Sequence, residues 1–149
     1  MALLSEKTIL RMKLLNTTKM KKLTTILFLL IGSFGLLQAQ KDVSPAILTA
    51  LQKGDAATLS TFFNNNVELI IGSMNNVYSK KQATGIITDF FRKNKVTSFQ
   101  ILHRGNKDTS AFSICTMKVG GDNYRVYVLV RRTANEQFIQ QLRIEPSNE

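Results

Sequence analysis

The sequence is poor in the residues that most often build reactive or metal-binding sites. Its 149 residues include one cysteine, one histidine, two prolines and no tryptophan. A single cysteine excludes a disulfide within the chain and a multi-cysteine zinc site, and a single histidine excludes a multi-histidine metal cluster. No phosphate-binding glycine loop is present either. We therefore expect neither a metal nor a cofactor.

The composition otherwise indicates an ordinary folded chain. Hydrophobic residues make up 44% of the sequence and charged residues 20%. These values are typical of a globular protein and are too apolar for an intrinsically disordered one. The length fits one domain, and no internal repeat or proline-rich linker divides it.

An apolar run near the beginning of the chain is typical of an export signal. Residues Leu23 to Leu37 carry no charge, follow Lys21 and Lys22 directly, and precede the small residue Ala39. A basic flank, about 7–15 apolar residues and a small residue at the cut describe a secretory signal peptide. The run is shorter than the roughly 20 residues that cross a bilayer, so we expect no permanent membrane anchor. We predict translation from Met20 and cleavage after Ala39.

This cleavage divides the chain into an N-terminal extension with its signal peptide, residues 1–39, and a single domain, residues 40–149. The full chain has 20 Lys+Arg and 10 Asp+Glu, a formal net charge of +10. Residues 1–39 hold six of the basic and one of the acidic residues, which leaves fourteen and nine and a charge of +5. The remaining basic residues are scattered and form no phosphate-binding stripe, so nucleic acid is not an expected partner.

Capping residues predict three helices in the first half of this domain. Ser44 and Pro45 are favoured at the N-cap and the first helical position, and Gly54 is a typical helix end. Asp55 then caps a second short helix. A third begins with the capping box that starts at Ser79, in which Ser and the Gln three residues later bond each other's backbone donors. Apolar residues follow at helical spacing.

The rest of the domain predicts strands. One β-rich run and a short strand separate the second and third helices, and four strands follow the third helix across short turns, so these four neighbours should be antiparallel. The predicted order is ααββαββββ, an α+β fold with the helices on one face of a curved, mostly antiparallel sheet. The four late strands are Val96–Arg104, Ser110–Val119, Asn123–Arg132 and Gln137–Ile144.

The segment QKGDAATLSTFF, residues 52–63, resembles the opening of the nuclear transport factor 2-like superfamily, with a helix, Gly-Asp and a second helix. Within that superfamily the chain resembles domain of unknown function 4783, small exported proteins of Bacteroidetes. The resemblance implies a cone-shaped fold and a location in the periplasm or cell envelope of a Gram-negative bacterium. It implies no functional residue. Relatives in the superfamily include ketosteroid isomerases and polyketide cyclases as well as non-catalytic domains, so the fold alone does not decide the function.

Strand pairing predicts which polar side chains share a sheet face. A two-residue turn at Gly120-Gly121 places Cys115 opposite Val126, so that Tyr127 lies on the other face. The same register places Phe99, Ile101 and His103 with Tyr127, and sets His103 in one row with Ser110 and Arg131. We take His103, Arg131 and Tyr127 as ligand-binding candidates. A one-residue slip would exchange the two faces.

The acidic residues give little support for catalysis. An isomerase of this fold needs a carboxylate base that faces a closed cavity. Only Glu68, on the first strand, and Asp89, on the third helix, are placed where they reach an interior. A Ser–His pair at His103 lacks the carboxylate that would orient it. We assign no catalytic residue.

Both faces of the predicted sheet are apolar, although three short helices cover only one of them. A large uncovered apolar face marks an interface, so we expect a homodimer through the sheet. The favoured function is non-catalytic binding of a small apolar ligand or a protein partner through a dimeric cone-shaped scaffold. The alternatives are an isomerase- or cyclase-like enzyme that uses the same cavity, and a purely structural domain whose cone is filled by side chains.

Overall fold

Helices come first and most of the sheet follows in the computed structural model, which describes residues 42–147. The predicted signal peptide, with its start at Met20 and cleavage after Ala39, lies outside these residues. Within 42–147 no helix is long and apolar enough to cross a bilayer. The described part contains three helices and six strands. They are α1 (Pro45–Lys53), α2 (Ala56–Thr61), β1 (Phe63–Ile71), β2 (Met74–Ser79), α3 (Lys80–Lys93), β3 (Val96–Lys107), β4 (Ser110–Val119), β5 (Asp122–Arg132) and β6 (Gln137–Pro146).

The predicted helix boundaries are confirmed by their caps. Ser44 accepts a hydrogen bond from the Ala46 amide, and Gly54 ends α1 in the left-handed conformation, with φ of 65°. Asp55 caps α2 by accepting from the amide and the hydroxyl of Thr58, and these bonds hold the pKa of its carboxyl below the usual value. The capping box at Ser79 is complete.

All six strands form one sheet, in the order β2-β1-β6-β5-β4-β3. β1 and β6 are parallel neighbours, and every other pair in this sheet is antiparallel. The α+β fold class is confirmed. The register of β4 against β5 is also confirmed, because Cys115 pairs with Val126 and Ile114 with Tyr127.

The register predicted for β3 is wrong. Phe99 pairs with Met117 and Ile101 with Cys115, which places both on the face opposite Tyr127. A bulge between Ile101 and His103 adds one residue to the strand and returns His103 to the Tyr127 face. His103 consequently pairs with Ile114, and it does not share a row with Ser110 and Arg131 as predicted.

The helices cover the sheet face that carries Cys115. Alternate residues of β4 and β5 on this face are almost completely buried, including Met117 and Val128. The helices contribute apolar side chains such as Leu51 and Ile87, both 0% exposed, to the same cluster. A strap before α1 adds Val43, and Gln137 holds this strap by donating to the Asp42 carbonyl and accepting from the Ser44 amide. The interior is therefore packed with side chains from both layers.

Candidate functional site

The sheet face that the helices leave uncovered is the candidate site, and we call it the open face. Successive strand residues point to opposite faces, so its members alternate with the buried ones. They are only partly buried or are exposed, with the exception of Ile70, which is 5% exposed. The open face includes Glu68, Ile70, Val77, Gln100, His103, Gly105, Phe112, Ile114, Thr116, Arg125, Tyr127, Leu129, Arg131, Phe138, Gln141, Arg143 and Glu145.

Three rings form a cluster on the β3 side of the open face. The Phe112 ring centroid lies 5.8 Å from that of His103 and 5.8 Å from that of Tyr127, with tilted planes. Phe112 takes this position by lying over Gly105, where a Cβ atom would overlap its ring. Glycine at 105 therefore provides the space for the central ring of the cluster.

The open face carries all three ligand-binding candidates but does not gather them. His103 and Tyr127 both pair with Ile114 across β3, β4 and β5, so they occupy one row. Arg131 lies on the same face but four residues from Tyr127 along β5, a distance of about 13 Å at the usual rise per residue. The ring of Phe112 contacts the rings of both His103 and Tyr127.

Charged and amide groups occupy the middle of the open face. The Gln141 Nε2 donates to Glu68 Oε2 at 2.6 Å, between β6 and β1. Arg143 on β6 forms an ion pair with Glu145, with 3.2 Å between Nη2 and Oε2. The Nε of Arg143 is buried and has no hydrogen-bond acceptor within residues 42–147. The centre of the face is therefore polar, and its polar groups are incompletely satisfied.

The two acids predicted to reach the interior lie elsewhere. Glu68 is on the open face, because its strand neighbours Val67 and Leu69 take the buried positions. Asp89 lies on the exposed side of α3, where it pairs with Arg92 at 2.8 Å. Among the described residues no carboxylate is buried, and no group of three or more His, Cys, Asp and Glu residues is close enough to hold a metal.

The interior holds little that supports chemistry. Cys115 is 0% exposed, and burial raises the pKa of its thiol to about 11, so it remains protonated and unreactive at neutral pH. Ser113 is 0% exposed, and its Oγ has no hydrogen-bond partner among the described residues. Neither residue has a neighbouring general base inside the described core, so this pair does not resemble a nucleophilic site.

Gly105, Phe112 and Arg143 take part in the open face although sequence reasoning gave none of them a site role. The strand predicted to end at Arg104 continues to Lys107, so that Gly105 lies within β3. Phe112 was placed on the correct face, but its role depends on the bulge in β3 that brings His103 beside it. Arg143 carried a weak signal, as a charged residue between the apolar Leu142 and Ile144 of β6.

The family model described as domain of unknown function (DUF4783) matches residues 44–145 of the chain. A DUF4783 family protein from Bacteroides ovatus is 31% identical, with 73% of this chain and 99% of that chain covered and a TM-score of 0.68. Among curated proteins, none matches the sequence.

More distant structures share the fold at low identity. A ketosteroid isomerase-like protein from Erwinia carotovora atroseptica has a TM-score of 0.56 at 15% identity, with 70% of this chain and 90% of that chain covered. A protein of the nuclear transport factor 2-like family from Streptomyces avermitilis has a TM-score of 0.55 at 15% identity, with the same coverage of 70% and 90%. At these identities the likeness shows the fold alone.

Proposed function

Because the chain belongs to the DUF4783 family, whose function is unknown, we propose from its own residues that it is a non-catalytic assembly domain. In this proposal it forms a homodimer through the open face. The observation that carries the proposal is a sheet face that no described helix covers, on which Phe112, Ile114, Tyr127 and Leu129 form an apolar patch.

The size of the open face supports a stable contact. Six strands about 4.8 Å apart and about ten residues long, at about 3.3 Å per residue, span a surface of about 24 by 33 Å. This is about 800 Å², the area that each partner contributes to an interface of standard size. The apolar patch on β4 and β5 is part of this area, and an uncovered apolar patch rimmed by polar residues usually marks an interaction site. Aromatic residues and arginine, both present here, are the types enriched at protein interfaces.

The arrangement of the interior supports a non-catalytic role. The fold also occurs in a ketosteroid isomerase-like protein, so an isomerase or cyclase is the natural alternative. Such chemistry requires an acid or base beside a cavity. Within residues 42–147 both Glu68 and Asp89 lie outside the core, and side chains such as Leu51, Leu59 and Ile87 fill the space between helices and sheet.

We propose further that the chain is exported to the periplasm or cell envelope. The support is the sequence of its first 39 residues, with an uncharged run from Leu23 to Leu37 after two lysines. The test is native mass spectrometry of the protein produced from the full chain and purified from the envelope fraction. A mass that begins at Gln40 and corresponds to two copies supports both proposals. An uncleaved monomer held in the membrane contradicts both, and extra non-covalent mass would favour a bound small ligand.

A pair of substitutions tests whether the open face forms the contact. Leu129→Glu places a charge in the middle of that face and should convert the dimer to a monomer in sedimentation velocity. Met74→Glu is the matched control, because Met74 is 43% exposed but pairs with Ile71 on the helix-covered side of the sheet. The control should remain dimeric. A dimeric Leu129→Glu variant would show that the contact lies elsewhere.

A further inference from the structure

Two oppositely charged groups on the open face have unused hydrogen-bonding capacity. Arg143 contacts Glu145 through Nη2, but its Nε is buried without an acceptor in the described chain. Glu68 accepts from Gln141 through Oε2, and within residues 42–147 its Oε1 has no donor. The Arg143 side chain as a whole is 42% exposed, so its other guanidinium nitrogens remain accessible to an acceptor on a second molecule.

These two groups are neighbours near the middle of the sheet. β1 and β6 are parallel, with Glu68 beside Gln141 and Ile70 beside Arg143. Glu68 and Arg143 are therefore diagonal neighbours on the open face. β6 is the third strand of six, so Arg143 lies close to the centre of that face.

The two-fold symmetry of the proposed homodimer determines which residues meet Arg143 and Glu68 across the interface. In an isologous contact the same surface is used by both copies, so a residue near the axis meets its own counterpart or the counterparts of its neighbours. Two copies of Arg143 that face one another would repel. Glu68 is a neighbour of opposite sign, and a two-fold axis that passes between the two positions brings each arginine to a glutamate of the other copy.

We propose that in the homodimer Arg143 of each copy pairs with the partner subunit's Glu68, which gives two equivalent ion pairs at the centre of the interface. This proposal rests on the homodimer proposed above. The pairing gives the exposed part of the Arg143 guanidinium a second acceptor besides Glu145 and uses the free oxygen of Glu68. It also makes the contact selective for a second copy, because an apolar sheet face without a carboxylate at this position would bury the guanidinium with only Glu145 of its own chain as a partner.

A charge-exchange experiment tests the pairing in the protein produced from the full chain. Arg143→Glu and Glu68→Arg should each weaken the dimer by about 30-fold or more in sedimentation equilibrium, since each places like charges together. An equimolar mixture of the two variants should form a heterodimer, and the double variant should dimerise with itself again. Lys81→Glu, an exposed charge reversal on α3, should leave the dimer unchanged.

The outcomes separate the pairing from the dimer itself. A dimeric wild type whose two charge-reversed variants stay monomeric when mixed would overturn the pairing and leave the dimer standing. A monomeric wild type would overturn the dimer, and the pairing with it. The neutral variants Glu68→Gln and Arg143→Gln serve if a reversal unfolds the chain. Combined in one chain, the two neutral substitutions should weaken the dimer no more than either does alone. If the combined variant instead loses affinity by the product of the two single fold-changes, the two residues do not interact and the pairing is contradicted.

Discussion

The ring of Phe112 on β4 lies against the backbone of Gly105 on β3, in space that any side chain at position 105 would occupy. This contact sets the distance from Phe112 to His103 and to Tyr127, and so determines the shape of the aromatic part of the open face. The glycine here serves a close approach of a side chain, since its φ is not in the left-handed region.

Gly105→Ala should therefore disturb the aromatic cluster. The methyl group forces the Phe112 ring to move, and overpacking of this kind costs about 1 kcal/mol where the displaced ring has room on a partly exposed face. We expect a lower free energy of unfolding in urea and a weaker homodimer. An unchanged dimer affinity would show that the position of the Phe112 ring is unimportant for assembly.

Gly85→Ala should have the opposite effect. Gly85 lies within α3, and close packing against a strand is the explanation that its sequence position suggests. The structure contradicts this explanation, because a Cβ atom at Gly85 would have no neighbour within 4 Å. Alanine in an exposed helix interior is favoured over glycine by about 1 kcal/mol, so the substitution should raise the free energy of unfolding by up to that amount. A destabilised variant would indicate a packing role for this glycine.

These two glycines illustrate how far the sequence predicts the molecule. Helix ends were predictable because capping depends on residues a few positions apart, as in the box that begins at Ser79. The register of β4 and β5 was predictable because a two-residue turn joins them. The register of β3 was not predictable, because the bulge before His103 adds one residue without a sequence signal. A shift of one residue exchanges the two faces of the strand. The face predicted for His103 is right, but its row is wrong, since the bulge sets His103 in line with Tyr127 and not with Arg131.

Ser113→Ala should stabilise the protein. The Ser113 Oγ is buried without a hydrogen-bond partner in the described chain, so the hydroxyl pays for desolvation with no compensating bond. Its removal should raise the free energy of unfolding by about 1 kcal/mol. Ser60→Ala is the control, because the Ser60 hydroxyl is also largely buried but donates to the Ala57 carbonyl at 2.9 Å. A gain of stability in both variants, or in the control alone, would contradict this account.

The buried thiol predicts a loss of stability in alkaline solution. Burial raises the pKa of Cys115 to about 11 in the folded protein, against 9.0 for an exposed thiol. The folded state therefore keeps a proton that the unfolded state releases. The stabilising contribution is complete below about pH 9 and is lost as the pH rises through about 11.

Urea denaturation of the wild type and of Cys115→Ala at pH 8 and pH 10.5 measures this contribution. Alanine lowers stability at both pH values by leaving a small cavity, but it cannot titrate, so the comparison removes the effects of lysine and tyrosine. The wild type should lose about 1–2 kcal/mol more than the variant between the two pH values. Equal losses would mean that the thiol ionises as readily in the folded core as in the unfolded chain, which its complete burial between β3 and β5 does not allow.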